Sequence, residues 1–398
     1  MIEATNLTKV YGPRPREALA LLRRGASRAQ VLQETGCTVG VDGVSLRVER
    51  GELFVVMGLS GSGKSTLVRM VNRLIEPTAG TIAIDGRDLS ALRPEELRQV
   101  RNETVSMVFQ HFAVFPHRTV RENAAYGLHV RRLGAHERRA RAEWALHEVG
   151  LADWGDAYPS ALSGGMKQRV GLARALATDA PVMLMDEPFS ALDPLIRRGM
   201  QDLLLRLQRE LQKTIVFITH DLNEAMRLGD RILLLRDGRV VQVGTAPEII
   251  SAPADDHVRD FVADVDRSRV LTAADAMAES GLLATLDERP EDVLRRLARH
   301  EANGVYVVDA QRRVIGVARD DLLAESMRQG SPRLTPACLT DEYATTAPDR
   351  PLIELFDAVG RHVVPLGIVD DDGRLLGVLP RAGLLRALAT VPRSAVHA

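Results

Sequence analysis

The chain has 398 residues, 45% of them hydrophobic, and its 52 Lys plus Arg nearly balance 53 Asp plus Glu for a formal net charge of −1. Such a chain can bury two or more cores, and its charge offers no field that would steer nucleic acid or an anionic surface toward it. Cys37 and Cys338 are too few for a disulfide framework and too far apart for a metal site, so a reducing compartment is expected.

The opening Met1-Ile2-Glu3-Ala4-Thr5-Asn6 lacks the basic stretch and apolar core of a leader, and no later run reaches the ~20 apolar residues of a membrane span. After Lys9-Val10-Tyr11-Gly12 comes an interruption at about 13–40. Pro13 and Pro15 lead into Arg16 to Glu34, where Ala18, Leu21, Leu22, Val31 and Leu32 predict one or two short helices; Val41 to Val48 then alternates as a strand. The apolar run Leu53 to Met57 predicts a further strand. Gly58-Leu59-Ser60-Gly61-Ser62-Gly63-Lys64-Ser65 follows it, and a helix opens at Thr66. Strand, glycine-rich loop and helix in this order make a phosphate-binding loop. The glycines let backbone N–H groups turn inward, the helix presents its positive end, Lys64 reaches the β- and γ-phosphates, and the Ser65 hydroxyl can ligate Mg²⁺. Only four lysines (9, 64, 167 and 213) stand among the 52 basic residues, which makes a lysine at this spacing informative.

Pro94 to Arg101 and Ala135 to Val149 read as amphipathic helices of a helical subdomain at about 88–170, with Arg131, Arg132, Arg138, Arg139 and Arg141 as a solvated face. Leu162-Ser163-Gly164-Gly165-Met166-Lys167-Gln168-Arg169 joins a small-residue turn to a helix start, a second anion-binding device. Val182 to Met185 predicts a buried parallel strand, and Asp186 and Glu187 emerge at its C-terminal edge, where open α/β sheets hold their ligands. Asp186 suits a Mg²⁺ shell and Glu187 suits activation of water. Ser190-Ala191-Leu192-Asp193 and, past the strand Thr214 to Ile218, Thr219-His220-Asp221 continue the series.

Over roughly residues 1–250 this order and spacing resemble the ATP-binding cassette family, the nucleotide-hydrolysing subunits of transporters. The resemblance implies an α/β P-loop fold with a RecA-like core, an antiparallel β subdomain and a helical subdomain. It implies ATP and Mg²⁺ as cofactors. Tyr11 would stack on adenine, and Gly58, Leu59, Ser60, Gly61, Ser62, Gly63, Lys64, Ser65 and Thr66 would hold the phosphates. Gln110 would sense Mg²⁺ and water; with Ser65 and Asp186 it would complete the metal shell. Glu187 would orient or deprotonate water, while His220 and Lys64 stabilise the transferring phosphoryl group. Ser163, Gly164 and Gly165, with Gln168 and Asp193, would close the site from a second protomer. Gln110-His111-Phe112 and the surface through Phe115 would pass motion to a permease.

Fewer than a hundred residues separate Lys64 from Ser163, too few for the coiled-coil arms of chromosome-maintenance ATPases. A single Gly-Lys-Ser loop sets the chain apart from translation-type ATPases with two cassettes, and Glu187 with His220 from a binding-only module.

From about 264 to 398 the pattern changes. Sliding the tail by 61 residues aligns Arg289-Pro290 with Arg350-Pro351, Val308-Asp309 with Val369-Asp370, Arg313 with Arg374, and Gly316-Val317 with Gly377-Val378. Each unit, about 268–328 and 335–390, reads helix, strand, turn, strand, helix. The pair resembles tandem cystathionine-β-synthase-type (CBS) regulatory modules. Both copies lack the hydroxyl that adenosine-binding modules place after the Gly-hydrophobic turn: Gly316-Val317-Ala318-Arg319-Asp320 and Gly377-Val378-Leu379-Pro380-Arg381. Simple AMP or ATP binding is therefore not expected there. Arg295, Arg296, Arg299 and His300 form a cationic stripe that could meet anionic lipid, although the tail from 264 holds 17 Arg against 21 Asp plus Glu.

A cassette with this insertion and a CBS pair, together with Asn72-Arg73-Leu74-Ile75-Glu76-Pro77 and Ser190-Ala191-Leu192-Asp193-Pro194-Leu195-Ile196-Arg197, resembles the ATPases of quaternary-amine (glycine betaine/proline betaine) importers. That implies a homodimer, peripheral on the cytoplasmic face of the membrane, under permease subunits served by an external quaternary-amine-binding protein or domain. A regulatory ligand or anionic lipid at the CBS pair is implied too, and no nucleic acid. Importers of other solutes, such as amino acids, polyamines or sugars, typically end in a different β-rich tail.

Overall fold

Strand composition divides the first part of the chain into two sheets. The computed structural model describes residues 1–110, 113–279, 282–300 and 302–389, and the chain separates into two units, Met1–Val262 and one beginning at Ala263. In the first unit the strands are β1 (Ile2–Tyr11), β2 (Thr38–Val48), β3 (Leu53–Met57), β4 (Ala79–Ile84), β5 (Arg87–Asp88), β6 (Val105–Val108), β7 (Val182–Asp186), β8 (Thr214–Thr219), β9 (Arg231–Arg236) and β10 (Arg239–Gly244). Order β2-β1-β4-β5 makes an antiparallel sheet and order β10-β9-β3-β8-β7-β6 a mostly parallel one.

All residues of β3, β7 and β8 are buried, the pattern of parallel strands covered on both faces. The antiparallel sheet packs Ile2, Leu7 and Ile82 against Phe54, Leu67 and Leu184, so one core unites both sheets around the helix that follows β3. Asp237 and Gly238 both take positive φ, which gives β9 and β10 a two-residue turn matched to strand twist.

The interruption forms two helices, α1 (Pro15–Arg23) and α2 (Arg28–Thr35). Pro15 starts α1 at the position where a missing N–H costs nothing; a Ser27/Gln30 capping box starts α2, and Gly36 ends it at φ 68°. Ala18, Leu22, Val31 and Cys37 bury with Val10 and Val39 into a satellite core. Further helices are α3 (Lys64–Val71), α4 (Pro94–Glu103), α5 (Val120–Ala124), α6 (Tyr126–Val130), α7 (Ala135–Glu148), α8 (Gly164–Ala177), α9 (Pro194–Leu211), α10 (Leu222–Leu228), α11 (Ala246–Ser251) and α12 (Asp256–Phe261).

The basic cluster is not uniformly solvated. Arg131 donates from Nε to the Asn102 carbonyl at 2.6 Å and from Nη1 to the Thr178 carbonyl at 2.5 Å, and burial pushes its pKa down. It staples the end of α4 to the end of α8.

In the second unit the sequence repeat becomes a structural one. Hairpin Gly304–Val308/Val314–Arg319 corresponds to hairpin Leu366–Val369/Leu375–Leu379, and each is joined by a short parallel strand, Leu283–Ala284 or Thr345–Thr346. Helices Asp320–Arg328 and Arg381–Leu388 follow at the same offset. Arg313 and Arg374, equivalent in the 61-residue repeat, face each other as an antiparallel bridge between the two turns. The copies differ in their first helix: Pro290–Arg299 is continuous, whereas the second is a 3₁₀ turn, Leu352–Glu354, and a short helix, Phe356–Arg361. Gly360 and the β-branched Ile353 and Val359 weaken helix formation there.

Candidate nucleotide site

Parallel register brings the motifs to one edge. Met57 pairs with Thr219, Asp186 with Ile218 and Val108 with Met185, so Gly58, Glu187, His220 and Gln110 all lie just beyond the C-terminal ends of adjacent strands. The loop Gly58–Gly63 needs its glycines. At Gly58 (φ 154°) a Cβ would stand 2.1 Å from the Leu235 carbonyl oxygen, and at Gly63 (φ 103°) 2.3 Å from that of Gly40.

Lys64 is buried, and its ammonium donates to the carbonyls of Gly58 at 2.9 Å and Leu59 at 3.0 Å, across the loop. Burial pushes its pKa down, and the nearby carboxylates of Glu187 and Asp186 oppose that shift. Glu187 Oε1 lies 3.8 Å from Lys64 Nζ, and its Oε2 lies 3.0 Å from His220 Nδ1. Glu187 itself sits at φ 47°, an uncommon conformation for a residue with a side chain, held by a bond from its N–H to the Ile218 carbonyl and by the Ser190 hydroxyl donating to its own carbonyl at 3.0 Å.

The Ser65 hydroxyl donates to Asp186 Oδ1 at 2.8 Å, and Arg69 Nη2 donates to Asp186 Oδ2 at 3.0 Å. A hydroxyl and a carboxylate at this separation are the hard oxygen donors Mg²⁺ prefers, and Mg²⁺ needs only one or two protein oxygens when phosphates supply others. Among the described residues no cluster of three or more His, Cys, Asp or Glu is placed to hold a metal unaided. Arg69 was not legible as a functional residue, although its i,i+4 spacing from Ser65 puts both on one helical face.

Tyr11 ends β1 with its ring over Gly40, where a Cβ would come 2.9 Å from Cε2; its hydroxyl is 3.3 Å from Thr66 Oγ1 and Lys9 Nζ is 5.2 Å from the ring centroid. Tyr11 as a whole is 41% exposed. Gln110 is exposed beyond β6, with no hydrogen bond to Ser65 or Asp186; His111 and Phe112 lie outside the described residues. Phe115 is anchored by Asn123, whose Oδ1 accepts from its N–H at 2.7 Å and whose Nδ2 donates to its carbonyl at 3.1 Å.

Ser163 caps α8, its hydroxyl accepting from the Met166 N–H at 3.3 Å, and Ser163 and Gly164 are exposed. Gly165 is buried against Ile196, where a Cβ would meet Cγ2 at 2.6 Å. Gln168, one turn beyond the exposed Gly164, is 1% exposed, and neither atom of its side-chain amide has a hydrogen-bond partner. Asp193 is exposed and caps α9 through the Ile196 N–H at 3.1 Å. Arg197, one turn on, was missed: Nη1 donates to Asp221 Oδ2 at 3.1 Å and Nη2 to the Leu192 carbonyl at 3.1 Å, tying the Ser190–Asp193 segment to the His220–Asp221 turn.

The ABC transporter family profile matches residues 41–190 and the CBS domain profile residues 337–390. The glycine betaine/carnitine transport ATP-binding protein GbuA of Listeria monocytogenes is 46% identical over 98% of this chain and 97% of its own length. The chain belongs to the ABC transporter ATP-binding proteins of the glycine betaine/proline betaine group. ProV of Escherichia coli, a glycine betaine/proline betaine transport system ATP-binding protein, is 46% identical over 97% of each chain. The trimethylamine N-oxide transport system ATP-binding protein TmoW of Ruegeria pomeroyi is 44% identical over 79% of this chain and 94% of its own. Among solved structures, the dimeric structure of MJ0796, a bacterial ABC transporter cassette, superposes with a TM-score of 0.53 at 34% identity, covering 62% of this chain and 99% of that one. As a member of this family the chain is a nucleotide-binding ATPase whose hydrolysis is coupled to import. No helix among the described residues is long and apolar enough to cross a membrane.

Proposed function

We propose that this chain energises uptake of a quaternary amine of the glycine betaine/proline betaine type. It would do so as a homodimer at the cytoplasmic face of a membrane permease fed by an external amine-binding protein or domain. The observation that carries the substrate class is near full-length similarity at 46% identity, tail included, to betaine transport ATP-binding proteins.

Each ATP lies between Gly58–Thr66 of one protomer and Ser163–Gly165 of the other, because a single loop leaves the γ-phosphate face open to solvent. Tyr11 stacks on the base. Ser65 and Gln110 would ligate Mg²⁺ with Asp186 in its outer shell, and the ion would neutralise charge on the β- and γ-phosphates. Glu187 orients the attacking water and accepts its proton. His220, 3.0 Å from Glu187, meets the γ-phosphate from the neighbouring strand end, and Lys64 exchanges its carbonyl partners for phosphate oxygens. The exposed Asp193 faces the partner protomer, and the segment from Gln110 through Phe115 meets the permease.

A second reading, trimethylamine N-oxide import, is favoured by the TmoW proteins, but those relatives align to only 79% of this chain. For the second unit, Arg295 is paired with Glu291 at 3.0 Å and Asp292 at 3.2 Å, and Arg296 with Glu288 at 2.5 Å, which engages two of the four residues of the cationic stripe and weighs against lipid docking. Its cavity of about 640 Å³ includes Tyr306, His362, Val378 and Arg381, and the Arg381 guanidinium is committed to the Val359, Gly360 and His362 carbonyls. That commitment leaves Arg381 with few donors for a phosphate.

The test is reconstitution with the neighbouring permease genes in liposomes. Glycine betaine on the external side is expected to stimulate ATPase activity and enter the vesicles; stimulation by trimethylamine N-oxide alone would replace the reading, and by neither would overturn it.

A further inference from the structure

The function described above leaves the two-helix interruption unused. It is not a peripheral appendage: it joins Tyr11 to Thr38, residues that pair across β1 and β2, so both of its ends are fixed next to the ring proposed to receive the base. The chain leaving Tyr11 is held at three consecutive points. Gly12, at φ 137°, lies so close to Cys37 that a Cβ would stand 2.8 Å from Sγ. Pro13 restricts its own φ. The Arg14 N–H donates to Cys37 Sγ at 3.3 Å.

The Arg14 side chain supplies the clasp. Nε donates to the Thr35 carbonyl at 3.2 Å and Nη2 to the Glu34 carbonyl at 2.9 Å, with Glu17 Oε2 at 3.3 Å from Nη1. Thr35 and Glu34 supply the last carbonyls of α2, which have no partner within the helix and carry the negative end of its dipole. A planar guanidinium spans two adjacent carbonyls in one geometry, whereas an ammonium cannot hold both in the same way. Arg14 therefore closes the interruption into a ring from Tyr11 to Thr38, with the satellite core of Val10, Ala18, Val31 and Cys37 inside it.

We propose that Arg14 is a positioning residue for nucleotide binding. By clasping the end of α2 it fixes the chain after Tyr11, so that the phenol ring stands over Gly40 and beside Thr66 before ATP arrives. The interruption thus serves base recognition by lowering the ordering cost of the stacking platform. This inference rests on Tyr11 being the base-stacking residue.

The experiment is a double-mutant cycle in the full-length chain, with R14A, Y11A and both together, measuring KM for ATP and for GTP and kcat for each. R14A is expected to raise KM about fivefold for both nucleotides with kcat unchanged, since a phenol stacks on either purine. R14K should recover only part of the loss. In the Y11A background, R14A should change KM less than twofold, because the ring it positions is gone. A reporter variant, Y11W in a background with W144F and W154F, gives a readout independent of turnover: ADP should quench its fluorescence, and R14A should broaden its emission before ADP is added. If Y11A leaves KM unchanged, the stacking assignment fails and this inference falls with it. If Y11A raises KM but R14A does not, Tyr11 stands and the role of Arg14 is overturned. If R14A raises KM equally with and without Tyr11, or lowers kcat in step with thermal stability, Arg14 is structural only and the proposal is wrong.

Discussion

His220 Nδ1 stands 3.0 Å from Glu187 Oε2 while Lys64 Nζ stands 3.8 Å from Oε1, so the two oxygens of the carboxylate beyond β7 face an imidazole beyond β8 and an ammonium at the start of α3. Glu187→Gln preserves size and hydrogen bonding but removes the base. Turnover should fall by ~10²–10⁴ with ATP affinity retained, and an ATP-bound dimer should accumulate on gel filtration. Near-normal hydrolysis by pure Glu187→Gln protein would remove the assignment.

Lys64→Ala should fail at an earlier step. The ammonium is buried against two loop carbonyls, so its loss leaves those oxygens without their charged donor and the phosphates without a counter-charge. Titration calorimetry should show weaker ATP binding, in contrast to Glu187→Gln.

Two-chain assembly can be tested at Ser163. Ser163→Arg adds bulk and charge where the partner's phosphates would arrive, yet it also removes the cap of α8, which costs about 1 kcal/mol. Ser163→Ala reports the cap loss by itself. Titrating Ser163→Arg into wild type should depress activity at the wild-type protomer's loop; activity that tracks each protomer's own loop would exclude a shared site.

Arg197 joins the Leu192 carbonyl to Asp221, hence the Ser190–Asp193 segment to the turn bearing His220. Arg197→Ala should lower kcat about tenfold and leave KM for ATP within twofold, since no phosphate contact is removed. A rise in KM with kcat intact would place Arg197 in binding instead.

Glu224 is buried beneath the same turn, and burial raises its pKa against the hydrogen bonds from Thr219 and Gln201. A carboxyl whose folded pKa lies above its unfolded value favours folding while protonated, and that contribution declines as pH climbs past the ordinary carboxylate range. Glu224→Gln should therefore raise Tm more at pH 7.5 than at pH 5; an equal shift at both would show that ionisation is not what burial penalises here.

The motif residues were legible because phosphate chemistry narrows the choice of residue: glycine where φ is positive, lysine and serine behind it, carboxylates at a strand end. The helices of the interruption were legible from Pro15 and from the pattern of Ala18, Leu22 and Val31. Arg14, Arg69 and Arg197 were not. In a chain whose basic residues are arginine in all but four cases, composition cannot separate a clasp from a solvated side chain, and which carbonyl or carboxylate each arginine serves leaves no mark in sequence. Arg131, read with its neighbours, was drawn out of the group by two helix ends that only folding brings together.

Tyr306 belongs to the first tail repeat, yet its hydroxyl donates to Ala344 at 3.1 Å and Pro365 at 2.9 Å, both in the second. During synthesis that phenol emerges long before either acceptor does. The early hairpin must wait on the ribosome with an apolar face uncovered and its phenol bonded to water, and it completes itself only when its duplicate arrives. Translation stopped between the copies should therefore yield a chain for proteolysis rather than half a regulatory unit.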